Sequence, residues 1–238
     1  MFQLFSTPGW FSGWDIIFDG IGLVIALLIA MYSWRIYRLT TENKFAYFSF
    51  AFILISLASL FKIITLGLVY YAPVRTAAMN VLIPVVGRTT AGVNYSQLFF
   101  RSGFFLWMVA MLAAWLLIFF ISQKKRDRLK KYYEVSQIAL FVYLIVLIAV
   151  VSNFQYFVFY TTSSVILGMT VLNYYKNYLN TNQNKNAFLV MCSFVLLLAS
   201  HLFFIFVFLF QQFYVVGELF LLAGFLLLLY TYSNIKGR

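Results

Sequence analysis

The chain has 238 residues, of which 64% are hydrophobic and 10% charged, with a formal net charge of +11 and a mean hydropathy of +0.92. A soluble domain carries roughly a quarter charged residues, so water cannot solvate a fold with this much apolar surface and hydrocarbon must take its place. The basic residues flank apolar runs, with no aromatic–basic sheet motif or helix-turn-helix pattern, which excludes nucleic acid as a partner; the single cysteine, Cys192, excludes an internal disulfide and a thiolate zinc site.

Crossing about 30 Å of hydrocarbon takes about 20 apolar residues in a helix. Residues 1–14, MFQLFSTPGWFSGW, lack the basic start and long apolar core of a cleaved signal. Their aromatic side chains, Phe2, Phe5, Trp10, Phe11 and Trp14, make them an amphipathic arm lying in the interface. A first span follows at 15–37 and a second at 45–71. Residues 72–96, broken by Pro73, Pro84, Gly87 and Gly92, are too short and interrupted to cross and return; they form an external loop with a short interfacial helix or re-entrant turn. The third span is 97–122. After it, KKRDRLKK at 124–131 is an anchor on anionic lipid or a docking site for a cytoplasmic partner. Spans at 132–152, 154–178, 187–210 and 213–234 complete seven, in one transmembrane domain covering 1–238. No internal repeat marks an inverted-repeat transporter.

The expected fold is therefore an all-α integral membrane bundle of seven transmembrane helices. Charge orients it. With the N-terminus outside and the C-terminus in the cytoplasm, Arg35, Arg38, Lys44, the six basic residues of 124–131, Lys176, Lys185, Lys236 and Arg238 all fall inside, leaving Lys62, Arg75, Arg88 and Arg101 on the outer side. That is the positive-inside pattern of a multi-pass protein of the cell membrane.

Charges within hydrocarbon cost on the order of 3 kcal/mol each on insertion scales, so those present call for a function or a partner. Asp19, Lys62, Arg101 and Glu218 come from four different spans and fall at similar depth in the outer leaflet. Tyr160 and Ser164 on the fifth span lie near the same level. Together these residues predict an outward-facing, partly wet polar cavity in which Asp19 and Glu218 neutralise Lys62 and Arg101. His201, the only histidine, sits about one turn below Glu218. Its tilt is away from Glu218, which points to a neutral ring bonded to a hydroxyl or backbone carbonyl, with proton or ligand binding as the functional alternative. Gly217 and Gly224, seven apart, predict close helix packing on one face of the last span.

No HExxH, GxSxG or phosphate loop is present, paired histidines for haem are lacking, and the last span has no lysine for a retinal Schiff base. No metal or cofactor site is expected, and no enzyme. The segments WRIYRLTTENKFAYFSFAF, ASHLFFIF and GELFLLAGFLLLL resemble the seven-helix membrane domains of prokaryotic, especially archaeal, histidine-kinase-type sensors. Those proteins continue into an output module, whereas this sequence stops at Arg238. The resemblance implies a sensor-like or receptor-like protein that binds a small molecule or lipid in the polar cavity and signals through a cytoplasmic or membrane partner protein. A transporter or channel component, or a structural subunit of a membrane complex, is the competing expectation.

Overall fold

The computed structural model describes residues 7–74, 76–77, 80, 95–123 and 156–234. Among the described residues a short 3-10 turn at Gly9–Phe11 is followed by six long helices: α1 (Trp14–Thr40), α2 (Asn43–Tyr70), α3 (Tyr95–Ser122), α4 (Tyr156–Asn180), α5 (Lys185–Ile205) and α6 (Gln212–Ser233). All six are long and apolar enough to cross a membrane. Within lipid a helix pairs nearly every backbone N–H and C=O internally, which is why apolar runs of this length take no other form. The protein is thus an all-α, multi-pass membrane bundle. The predicted span 132–152, the basic run 124–131 and most of the loop 72–96 lie outside the described residues.

Two tight connections set the hairpins. Thr41 takes a left-handed conformation at φ 55° and returns its N–H to Tyr37, so α1 stops and α2 starts after Glu42. Between α4 and α5, Asn182 and Gln183 are left-handed, and the Asn184 side chain accepts from the Asn186 N–H at 2.9 Å to cap α5. The sixth predicted span, drawn to 210, ends earlier: α5 stops at Ile205 and tightens into a 3-10 turn at Phe206–Phe208. Of the predicted interfacial arm, residues 7–14 are described. Trp10 and Trp14 are exposed, but Phe11 is buried, with its edge toward Phe18 and Tyr214.

The helices form a closed ring in which each packs on its neighbour in chain order and α6 returns to α1. Ser33 Oγ donates to the Phe45 carbonyl and Ser49 Oγ to the Ala30 carbonyl, both at 2.8 Å, fastening α1 and α2 antiparallel. Tyr160 stacks on Phe204 and Tyr174 on Phe194, so α4 and α5 are antiparallel too. The exception is the pair α3 and α4. Trp107, midway along α3, meets Phe159 in the first turn of α4 (4.6 Å between centroids), and further along both helices Asn173 donates to Ser122 Oγ (3.0 Å). Consecutive in the described chain, these two helices run parallel. The bundle consequently has an Asp15 end and a Ser33 end. Arg35, Arg38, Lys44, Lys176 and Lys185 are all exposed and all gather at the Ser33 end.

Phe48, Phe52, Ile29, Ile55, Leu112, Trp115, Phe194 and Phe225 are fully buried and fill the interior. Outward, α1 presents Ile17, Ile21, Val24, Leu28 and Met31 on an exposed face, as suits lipid as solvent. The close approach expected of α6 is present. A Cβ on Gly217 would come within 2.7 Å of the Phe204 ring, and one on Gly224 within 2.9 Å of Leu197 and 3.1 Å of the Ser193 carbonyl. Gly20, by contrast, faces open space. Gly224→Ala should therefore lose about 1–3 kcal/mol through overpacking, while Gly20→Ala gains up to about 1 kcal/mol of helix propensity. Thermal unfolding in detergent should order the variants Gly20→Ala, native, Gly224→Ala from most to least stable.

Candidate functional site: a buried ammonium between two carboxylates

Lys62 is the hub. Its Nζ donates to Asp19 Oδ1 at 2.9 Å and to Glu218 Oε1 at 2.8 Å, joining α2 to α1 and α6. The ammonium also sits 5.5 Å from the centroid of the Tyr214 ring, within cation–π range. Exposures of 5% for Lys62, 8% for Asp19 and 2% for Glu218 rule out snorkelling to the headgroups for all three. Local helix geometry brings them together. Lys62 follows Ala58 and Ser59 along the buried face of α2, Asp19 follows Asp15 by one turn, and Glu218 follows the close-packed Gly217 and Tyr214. Each is thereby turned inward.

The space beside these charges is a cavity of about 20 Å³, lined among others by Asp19, Ser59, Lys62, Tyr160, His201 and Glu218. A water needs roughly 10–15 Å³ measured in this way, so the cavity holds about one. The sequence predicted a partly wet polar cavity at this level, and the described residues leave room there for about one water. Trp107, Met111, Phe204 and Leu221 complete the lining, and the Phe11, Phe204 and Tyr214 rings pack on one another toward the Asp15 end. Asp19 Oδ2 and Tyr214 Oη are buried with no hydrogen-bond partner among the described residues.

His201 is 1% exposed. Its Nδ1 lies 2.9 Å from the Leu197 carbonyl. A carbonyl can only accept, so Nδ1 carries the proton and Nε2 presents a lone pair. Of the two partners expected from the sequence, a hydroxyl or a backbone carbonyl, the ring takes the carbonyl. It stands edge-on to Trp115, Tyr160 and Phe204 and shares the cavity with Glu218. Tyr160 also lines the cavity. Ser164, one turn further along α4, is buried but off the lining, with its Oγ unpartnered among the described residues. Arg101 stands on α3, and its side chain lies outside the described residues, so the second expected cation of the cluster is not placed.

Sequence reading missed a second polar station, one turn nearer the Asp15 end. Fully buried Asp15 accepts from the N–H groups of Gly13 and Ile16 through Oδ1 and from the Tyr70 hydroxyl through Oδ2, each at 2.9 Å. Placement at the positive end of the α1 dipole favours its charge. The signal was available, because Asp15 and Asp19 are four apart and share one helix face. Ser59, three before Lys62, was legible in the same way, whereas Trp107, Met111, Phe204 and Leu221 look like any other apolar core residue. No cluster of three metal-ligating side chains occurs among the described residues, and Cys192 is half-buried and free. No family model, curated protein or solved structure matches the chain.

Removing one partner of a buried ion pair costs about 3–5 kcal/mol because a charge is left uncompensated. Lys62→Met leaves two carboxylates facing each other and should approach that loss, while Glu218→Gln leaves Lys62 held by Asp19 and should cost clearly less. The combination Asp19→Asn, Lys62→Met and Glu218→Gln should recover much of the Lys62→Met loss. Thermal stability in detergent measures all three, and equal stability of native protein and Lys62→Met would refute the pairing.

Proposed function

We propose that this chain is a sensor-like or receptor-like, non-enzymatic protein of the cell membrane, in which the Asp19–Lys62–Glu218 cluster is a latch holding α1, α2 and α6 in one arrangement. The observation that carries this reading is the single buried ammonium shared by carboxylates from two other helices. A buried ion pair adds little net stability over apolar packing, so a charged cluster in hydrocarbon is a functional element by default. A stimulus from outside that alters the latch would change how these helices pack and so reposition the loops at the Ser33 end, where a cytoplasmic or membrane partner protein would read the change. The resemblance of WRIYRLTTENKFAYFSFAF and GELFLLAGFLLLL to sensor membrane domains points the same way.

The same proposal includes seven spans, with the N-terminus outside. What supports it is the parallel course of α3 and α4: Tyr156 lies level with about Phe104, so between Ser122 and Tyr156 the chain has to return by roughly 27 Å at 1.5 Å per residue, and the stretch 132–152 is apolar enough for hydrocarbon. The gathering of the described exposed basic residues at the Ser33 end supports a cytoplasmic Ser33 end.

Transport is disfavoured by the packing beyond the cluster. Toward the Ser33 end the interior is filled by Ile29, Phe48, Phe52, Phe194, Leu197, Phe225 and Leu228. The hydroxyls of Thr170, Ser193 and Thr231 there are turned back onto carbonyls of their own helices. A structural subunit whose charges await another chain is disfavoured because Lys62 finds both carboxylates within this one.

Two measurements test the proposal. Cysteines at 127 and 182, in a Cys192→Ser background, should both label from the cytoplasmic side of sealed vesicles; labelling from opposite sides would end the seven-span arrangement. Spin labels at Leu39 and Ser233, near the Ser33 ends of α1 and α6, should show a shifted distance distribution when Glu218→Gln weakens the latch. An unchanged distribution would remove the switch.

A further inference from the structure

The cluster carries a charge imbalance that the latch reading leaves unused. Two carboxylates face one ammonium, so the fully ionised set holds one net negative charge in a nearly closed, low-dielectric interior. Lys62 occupies one oxygen of each carboxyl. The other oxygen of Asp19, Oδ2, is buried and has no hydrogen-bond partner among the described residues, and Asp19 lines the cavity with room for about one water. We propose that Asp19 Oδ2 is a proton-binding site and that the stimulus acting on the latch is a proton; this rests on the latch reading above.

The step is a simple transfer. A hydronium gives its proton to the Asp19 carboxylate, forming the neutral acid and water, and the cluster becomes charge-neutral. The Oδ1–ammonium ion pair then weakens to a charge–dipole bond, while the Glu218–Lys62 pair remains. The link between α1 and α2 is loosened selectively. Groups facing Asp19 are arranged for this. Asp15, on the same face of α1, stands about 6 Å toward the Asp15 end at 1.5 Å per residue and is held by Tyr70 of α2. Lys62 lies beside it on α2, Tyr160 on α4, His201 on α5, and Glu218 and Tyr214 on α6; Arg101 belongs to the neighbouring α3. The His201 Nε2 lone pair gives a cavity water an acceptor, so the water can keep a hydrogen towards Asp19. A sodium ion suits the site less. It would sit against the ammonium, which already holds one oxygen of each carboxylate that a sodium shell would draw on, leaving the Ser59 and Tyr160 hydroxyls as the further oxygens of the lining.

Infrared difference spectroscopy on the full chain in nanodiscs, stepped from alkaline to acidic pH, reads the site directly. The native protein should gain the carbonyl stretch of a protonated, buried carboxylic acid; Asp19→Asn should lose that band, and Glu218→Gln, which removes the excess negative charge, should form it only at lower pH. As Asp19→Asn is nearly isosteric and mimics the protonated group, its folding is checked by its thermal transition, and carbon-13 labelling of aspartate in the native protein should shift the band if any variant misfolds. A band that survives Asp19→Asn, a band unmoved by labelled aspartate, or stabilisation by sodium in place of a proton band would each overturn the assignment. The spin-label distances separate the two claims. If they respond to Glu218→Gln while no aspartic acid band forms, the proton site falls and the latch stands; if the band forms but the distances do not change, the latch falls.

Discussion

An ammonium in hydrocarbon must be neutralised within hydrogen-bond reach, and the rest of this bundle is arranged around that need. Lys62 reaches Asp19 and Glu218 only because α1, α2 and α6 meet at one level. That meeting depends on Gly217, which lets α6 press against Phe204 of α5 at the turn bearing Glu218. The serine hydroxyls of α1 and α2 then fix the other ends of two of the three helices through Ser33–Phe45 and Ser49–Ala30. Electrostatics, small residues and interhelical hydroxyl bonds act together because lipid supplies no hydrophobic force between helices.

Polarity is distributed unevenly along the bundle. Near the Asp15 end there are two carboxylate stations on one face of α1, an ammonium, and tyrosines whose hydroxyls lie among them. Toward the Ser33 end there are fully buried phenylalanines and leucines. A continuous polar path is what a carrier of ions or solutes would need. A polar site at one end of an apolar interior is what the proposed latch would use, since packed interiors shift between discrete arrangements instead of deforming continuously.

The parallel pair α3 and α4 gives the ring its connectivity. Every other described neighbour in chain order is an antiparallel hairpin or is consistent with one. The proposed seventh span would supply the crossover that such a parallel pair calls for.

Much of the fold was legible before any coordinates, because spans follow from one-dimensional quantities: runs of apolar residues, their length and their basic flanks. Six of the predicted spans coincide with helices to within a few residues, the main difference being at Ile205, where an ending inside a continuous apolar run leaves no compositional mark. The depth of Asp19, Lys62 and Glu218 was also readable from rise per residue, as was a His201 ring bonded to a hydroxyl or a backbone carbonyl. Partner choice was not. Lys62 was expected to share the acids with Arg101, and its bridging of both depends on the rotation of three helices about their own axes, which mean hydropathy does not encode. Cavity size was illegible for the same reason: a few ångströms of approach by Phe204, Trp107 and Tyr214 separate a ligand pocket from room for a single water. Sequence determined which solvent the chain inhabits and how deep each charge lies, since both depend on transfer free energy summed along the chain. Tertiary structure alone decided which charges touch, because contact between helices is settled by side-chain packing across residues far apart in sequence.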